Sequence, residues 1–313
     1  MLDRIRASQI GFWCSCTLKL GGVPLSPSST RRHKRCPDRS PRDANPGDSL
    51  MSRLKSLRSK RQLIYLLDLL RELVVRDIKV RYKRSVLGVA WSLVNPLMLL
   101  LTFYFIFHMV LSVDIPRYSS FAFSGMLAWS WFQLSLVQAA GAITGNRDLI
   151  RLPGFPLGVL PAVIVTTNLI HFLLALPVLL AVLVINGTGL KLTILAMPIL
   201  MILQFVLTLG LAYLVATANT LFHDTQHLLG TLLQLLMFLS PIFYEVSMVP
   251  PRYQTLYSLN PFVHLMDAYR AILLRGTLPD GIVLLVLGGV GACLLYVGLK
   301  IFMRTSYRFV EEL

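Results

Sequence analysis

The sequence predicts an all-α integral membrane protein, with six transmembrane helices preceded by an amphipathic interfacial helix and a re-entrant helical pair before the last span. Two observations carry that expectation. Hydrophobic residues make up 55% of the 313 and charged residues only 14%, with a mean hydropathy of +0.66, which is far more apolar surface than one soluble core buries. The net charge of +15 is also lopsided: residues 1–84 hold 20 of the 30 Lys+Arg and 7 of the 15 Asp+Glu, a local +13 that leaves +2 for the rest. Beside a series of spans, such a block fixes orientation against anionic lipid, so the expected partner is the bilayer and not nucleic acid.

Residues 1–50 mix Ser, Pro, Arg and Gly without periodicity and lack the apolar core of a signal peptide. They are expected to be a disordered or non-native extension, with translation starting at Met51. Cys14, Cys16, Cys36 and Cys293 fit neither a disulfide framework nor a zinc site. Residues 51–86 form the basic cytoplasmic segment. Within it Leu63, Leu66, Leu67, Leu70, Val74 and Ile78 follow helical spacing, opposite Asp68, Glu72, Arg76, Lys79 and Lys83. That pattern describes a helix lying in the membrane interface.

Residues 87–304 are expected to hold the spans, near 87–110, 121–143, 157–185, 192–221, 228–243 and 282–303, followed by a cytoplasmic tail at 305–313. An even count puts both termini on one side. The basic block, with Arg147, Arg151, Lys300, Arg304 and Arg308, makes that side the cytoplasm. Between the last two spans, residues 257–274 are apolar but interrupted by Asn260, Pro261, His264, Asp267 and Arg270. Such a segment is tolerated at membrane depth only under a cover of protein or water, hence the expected re-entrant pair on the outer face.

No G-x-x-x-x-G-K-[ST] loop is present, and the dipeptide Gly-Lys never occurs, so a usual P-loop ATPase site is excluded. There is no nucleophile elbow and no paired-carboxylate motif, and the chain is expected not to be an enzyme. His223, Asp224 and His227 make the best metal-like group, but they lack further ligands and read as a loop; no metal or cofactor is expected. His108 and His171 stand alone in spans and read as packed histidines.

The passage RDIKVRYKRSVLGVAWSLVNPLMLL, residues 76–100, resembles the permease subunits of type-2 ABC exporters, especially those for O-antigen, capsule or teichoic acid. Those permeases run a basic R-Y-x-x-S-x-L-G element into a first span bearing W-x-x-x-x-P, matched here by Arg81, Tyr82, Ser85, Leu87, Gly88, Trp91 and Pro96. NRDLIRLPGFP (146–156), LFHDTQHLL (221–229) and LNPFVHLMDAYRAILL (259–274) agree, so the resemblance runs from about Leu63 to the C-terminus. His223 departs from it, since relatives often carry a basic residue there.

The resemblance implies a homodimeric permease in the bacterial inner membrane, powered by two copies of a separate P-loop ATPase that bind ATP and Mg. It also implies a substrate that is a polysaccharide or lipid-linked glycan. Residues 146–156 then look like the coupling helix that docks on the ATPase, with Arg147, Asp148, Arg151, Phe155 and Pro156 as contacts and Pro153 and Pro156 stopping the helix. Arg81, Tyr82, Ser85, Gly88 and Trp91 form the interfacial element, and Tyr104, Phe238, Tyr244, Asn260 and Pro261 are candidates for the glycan pathway or gate. Phe132, Tyr213 and Phe243 are further rings for stacking on sugars, whereas Trp129 and Trp131 read first as an interfacial belt. Related permeases move drugs or other lipids. An ion-driven transporter would instead call for internal repeats and intramembrane acids, and a membrane-embedded glycan enzyme for a reactive cluster at one face.

Overall fold

The structure of the protein, a computed structural model, describes the backbone of residues 46–83, of 117–309 apart from Thr188, Leu190 and His223, and of positions 91, 94, 97, 98, 101, 102, 105 and 106. Side chains of these residues are described from Gln62 onward, apart from Leu256. Packing divides the chain into Met1–Arg53 and Leu54–Leu313. Of the first unit only the helical backbone from Pro46 is described, and all that follows concerns the second.

The described elements are helical throughout. α1 spans Pro46–Tyr82, α2 Tyr118–Ala140, α3 the single turn Arg147–Ile150, α4 Val159–Ile185, α5 Met197–Leu221, α6 Thr225–Phe238, α7 Pro251–Ser258, α8 Pro261–Arg270 and α9 Gly281–Thr305. Among the described residues three stretches are long and apolar enough to cross a bilayer: α4, the run Leu192–Leu221 that ends in α5, and α9. They match the expected spans at 157–185, 192–221 and 282–303. The expected second span coincides with α2, shifted by three residues, and α2 is not among those three. The fifth is shorter than its sequence suggests, because α6 has 14 residues, about 21 Å of helix against a hydrocarbon core of about 30 Å. Most of the first span, with Ser85, Gly88, Tyr104 and His108, lies outside the described residues; Trp91 lies on helical backbone and is exposed.

α2 sits at the centre of the bundle, with faces against α4, α5, α6 and α8. Its aromatic side chains fill the core. Trp129 packs against Phe132 and Phe262 with centroids 5.4 Å apart in each pair, the Phe132 and Phe262 rings stand 4.1 Å apart, and Trp131 meets Phe172 at 5.2 Å. The interfacial belt expected from Trp129 and Trp131 is therefore corrected. Both indoles are fully buried, and their N–H groups donate inside the protein, to Gln133 Oε1 and to the Val165 carbonyl. A polar chain crosses the same core: Gln204 donates to the Ala128 carbonyl at 2.8 Å and accepts from the Tyr269 hydroxyl at 2.9 Å, joining α2, α5 and α8.

The helix ends sort onto two faces. On one, Asn219 near the end of α5 donates to the Ala140 carbonyl at the end of α2, and Ile143, Ile150, Tyr213, Phe302 and Phe309 share a cluster. On the other, Asn186 after α4 donates to Ser119 and Ser120 at the start of α2, Thr193 to the Ile272 carbonyl, and Lys191 to the Arg275 carbonyl. α2, α5 and α9 therefore run toward the first face and α4 away from it, and Arg76 of α1 meets that face at Asn146.

Candidate functional site

The loop expected to couple lies on the first face. Thr144–Asn146 forms a 3₁₀ turn that leads into α3, and the helical run ends at Ile150, with its C-cap at Arg151 two residues before Pro153; Gly154, at φ 80°, makes the turn beyond. Arg147, Asp148 and Arg151 are exposed, whereas Leu149 and Phe155 point inward. Those two apolar side chains pack beside Leu69, Leu70, Leu73, Val74 and Ile78 of α1 and Val159, Val163 and Ile170 of α4. Phe155 is thus an internal anchor and not an exposed contact, and Pro156 is half-buried behind it.

α1 grips this loop and the bundle by polar contacts as well. Arg76 donates to Asn146 Oδ1 at 3.3 Å. Arg81 pairs with Asp77 at 3.4 Å and donates to Gln138 Oε1 at 2.9 Å, an oxygen that also accepts from Asn168 of α4. The Tyr82 hydroxyl lies 3.3 Å from His171 Nδ1, with the rings edge to face at 5.8 Å, which makes His171 a packed histidine. The buried face of α1 is Leu73 and Val74 with their neighbours; Leu63, Leu66 and Leu67 are exposed on this chain.

At the opposite face, the elbow after α6 is pinned from several helices. The Tyr118 hydroxyl of α2 donates to the Phe243 carbonyl, the Tyr244 hydroxyl to the Phe238 carbonyl, and the Tyr257 hydroxyl of α7 to that of Tyr244 at 2.9 Å. Asn260 accepts from the Phe262 N–H, capping α8 ahead of Pro261, and donates to Ser240 Oγ. Arg270, only 5% exposed, lies over the Phe121 ring at 3.5 Å and donates to the Ile242 carbonyl at 2.9 Å, while its Nε has no hydrogen-bond partner among the described residues. Asp267, the acid nearest it in sequence, is bonded to Arg275 at 2.8 Å.

Of the described gate candidates, Tyr244, Asn260 and Pro261 thus hold the elbow together, and only Phe238 presents an exposed ring. Arg270, which sequence reasoning saw only as an interruption, is the buried centre of this region. Arg270→Lys is expected to loosen it, because an ammonium does not lie flat on the ring and reach the carbonyl at once. The loss is about 2 kcal/mol, seen as a lower thermal unfolding midpoint of the purified protein; an unchanged midpoint would remove Arg270 from the elbow's support.

Among the described residues no three His, Cys, Asp or Glu side chains gather as a metal site, and His223, part of the metal-like group, lies outside them.

Long apolar helices around a polar-stitched core, with a charged turn held out on one face, have the make-up of a helical membrane protein. The chain belongs to the ABC-2 type transporter family, which it matches over residues 68–274. It is 35% identical over 259 residues to the O-antigen export system permease protein RfbA of Myxococcus xanthus and 34% identical to that of Klebsiella pneumoniae, each alignment covering 82% of this chain and 100% of the relative. It is 26% identical over 235 residues to the polysialic acid transport protein KpsM of Escherichia coli, covering 74% of this chain and 90% of that one.

Proposed function

We propose that the chain is the permease of an ATP-driven exporter that carries a polysaccharide or lipid-linked glycan outward across the bacterial inner membrane. Two copies form the path, and two copies of a separate P-loop ATPase, which bind ATP and Mg, supply the work. The first face is cytoplasmic, with both termini on it; α6 and the span before Arg117 complete six spans, and α7 and α8 are the re-entrant pair on the outer face. The observation that carries this reading is the loop at 146–156: an exposed turn bearing Arg147, Asp148 and Arg151, its apolar side chains locked between α1 and α4. A solvated connecting loop has no need of such anchoring, whereas a loop that receives force from another protein must pass it on without buckling. The names of the relatives supply the substrate class.

Affinity purification of the tagged chain from its native membrane is expected to bring down a P-loop ATPase in equal amount, and deletion of the chain to remove long-chain surface glycan. An ATPase-free preparation together with intact surface glycan would overturn the proposal.

A further inference from the structure

α6 is the least enclosed of the long helices, since among its described side chains only Leu233 is fully buried. At 3.6 residues per turn its side chains fall on three distinct faces. Leu229, Leu233, Leu236 and Met237 turn to the core. Leu228, Leu232, Leu235 and Leu239 form an exposed apolar ridge, each more than half exposed. His227, Thr231, Gln234 and Phe238 fall within an arc of about 60° and form a second exposed stripe, polar along most of its length and aromatic at its outer end.

The ridge suits hydrocarbon and the stripe does not. An amide turned into lipid without a partner costs about 2–7 kcal/mol, and Gln234 makes no hydrogen bond among the described residues. Thr231 returns its hydroxyl proton to the His227 carbonyl at 3.4 Å, which leaves its lone pairs outward as acceptors. A helix of about 21 Å is also too short to hold its polar groups clear of water by spanning alone.

Resting on the export reading above, we infer that His227, Thr231, Gln234 and Phe238 line the glycan conduit. The first three exchange hydrogen bonds with sugar hydroxyls as water does, and Phe238 offers its face to a pyranose ring where the chain leaves. A second copy of the chain is the other occupant such a stripe admits. Its chemistry favours the sugar: three of the four side chains are polar and Gln234 has no partner among the described residues, whereas close helix pairing in a membrane uses a run of small residues, of which the stripe has only Thr231.

The experiment uses the full chain with its ATPase in cells, freed of its four cysteines and carrying one new cysteine at a time, probed with a small cationic methanethiosulfonate. Thr231→Cys and Gln234→Cys are expected to react and, once modified, to stop export, whereas Leu232→Cys on the ridge stays unreactive. In parallel, in the parent chain, Gln234→Leu is expected to lower surface glycan about tenfold at unchanged protein level and unchanged ATPase association, with Gln234→Asn restoring most of it. Disulfide-linked copies at Thr231→Cys without reagent access would make the stripe a seam between copies and overturn the inference. Unreactive cysteines with normal export in Gln234→Leu would overturn it as well. A parent chain that exports no glycan would instead sink the export reading itself, so the two failures are distinct.

Discussion

Replacing Arg147 and Arg151 together by Glu is expected to abolish glycan export and ATPase association while leaving the protein folded and inserted. The two side chains stand four residues apart at the exposed turn and are free of acids, since neither enters an ion pair among the described residues. Being exposed, they contribute within about 0.5 kcal/mol to the permease's own stability. A desolvated contact with the ATPase is different. Removing a charged partner there costs about 2–5 kcal/mol and reversing it adds repulsion, so two reversals are expected to weaken association by more than about a thousandfold. Surface glycan on immunoblot and pull-down of the ATPase measure this directly. Normal export with normal association would move the coupling contact elsewhere, to the exposed basic side of α1 around Lys79 and Lys83.

The largest effect on stability is expected where α5 and α9 touch backbone to backbone. A Cβ on Gly298 would fall on the Gly210 carbonyl oxygen, and a Cβ on Gly210 would lie 2.5 Å from the Leu295 nitrogen. The obstacles are main-chain atoms of two long helices, which have no rotamer to change. Gly298→Leu therefore has to part the helices, at a cost of about 3 kcal/mol or more, expected to lower the thermal unfolding midpoint by about 6–12 °C. Gly289, in the same helix with open space around it, provides the contrast. Gly289→Ala is expected to leave the midpoint unchanged or raise it, because Ala is the better helix former. Equal losses in both variants would show that helix propensity, and not the α5–α9 contact, sets the effect.

The parts of this molecule legible in the sequence are those that depend on a one-dimensional signal. α4, α5 and α9 are long unbroken apolar runs, and the turn at Arg147 stands between two of the apolar segments, where polar residues have only one place to go. The indoles of Trp129 and Trp131 carried no such signal: a tryptophan with a satisfied N–H sits equally well in a core or at an interface, and only the partners from Gln133 and α4 decide. The stripe on α6 was hidden for a similar reason. His227 next to Asp224 suggested a loop, and its relation to Thr231 and Gln234 emerges only once the helix is known to begin at Thr225. Arg270 looked like an interruption in an apolar segment, because sequence shows neither the Phe121 face beneath it nor the carbonyl it reaches.

α2 has a history as well as a place. It is the most enclosed helix, yet it is not among the described helices apolar enough to cross a membrane on composition alone. Several of its polar groups are satisfied by what comes later in the chain: Gln138 by Asn168 as well as by Arg81 before it, Ser119 and Ser120 by Asn186, and the Ala128 and Ala140 carbonyls by Gln204 and Asn219. On the six-span proposal, α2 reaches the bilayer before α4 and α5 exist to pair with it, so the order of translation places a demand on biogenesis that the finished bundle no longer displays.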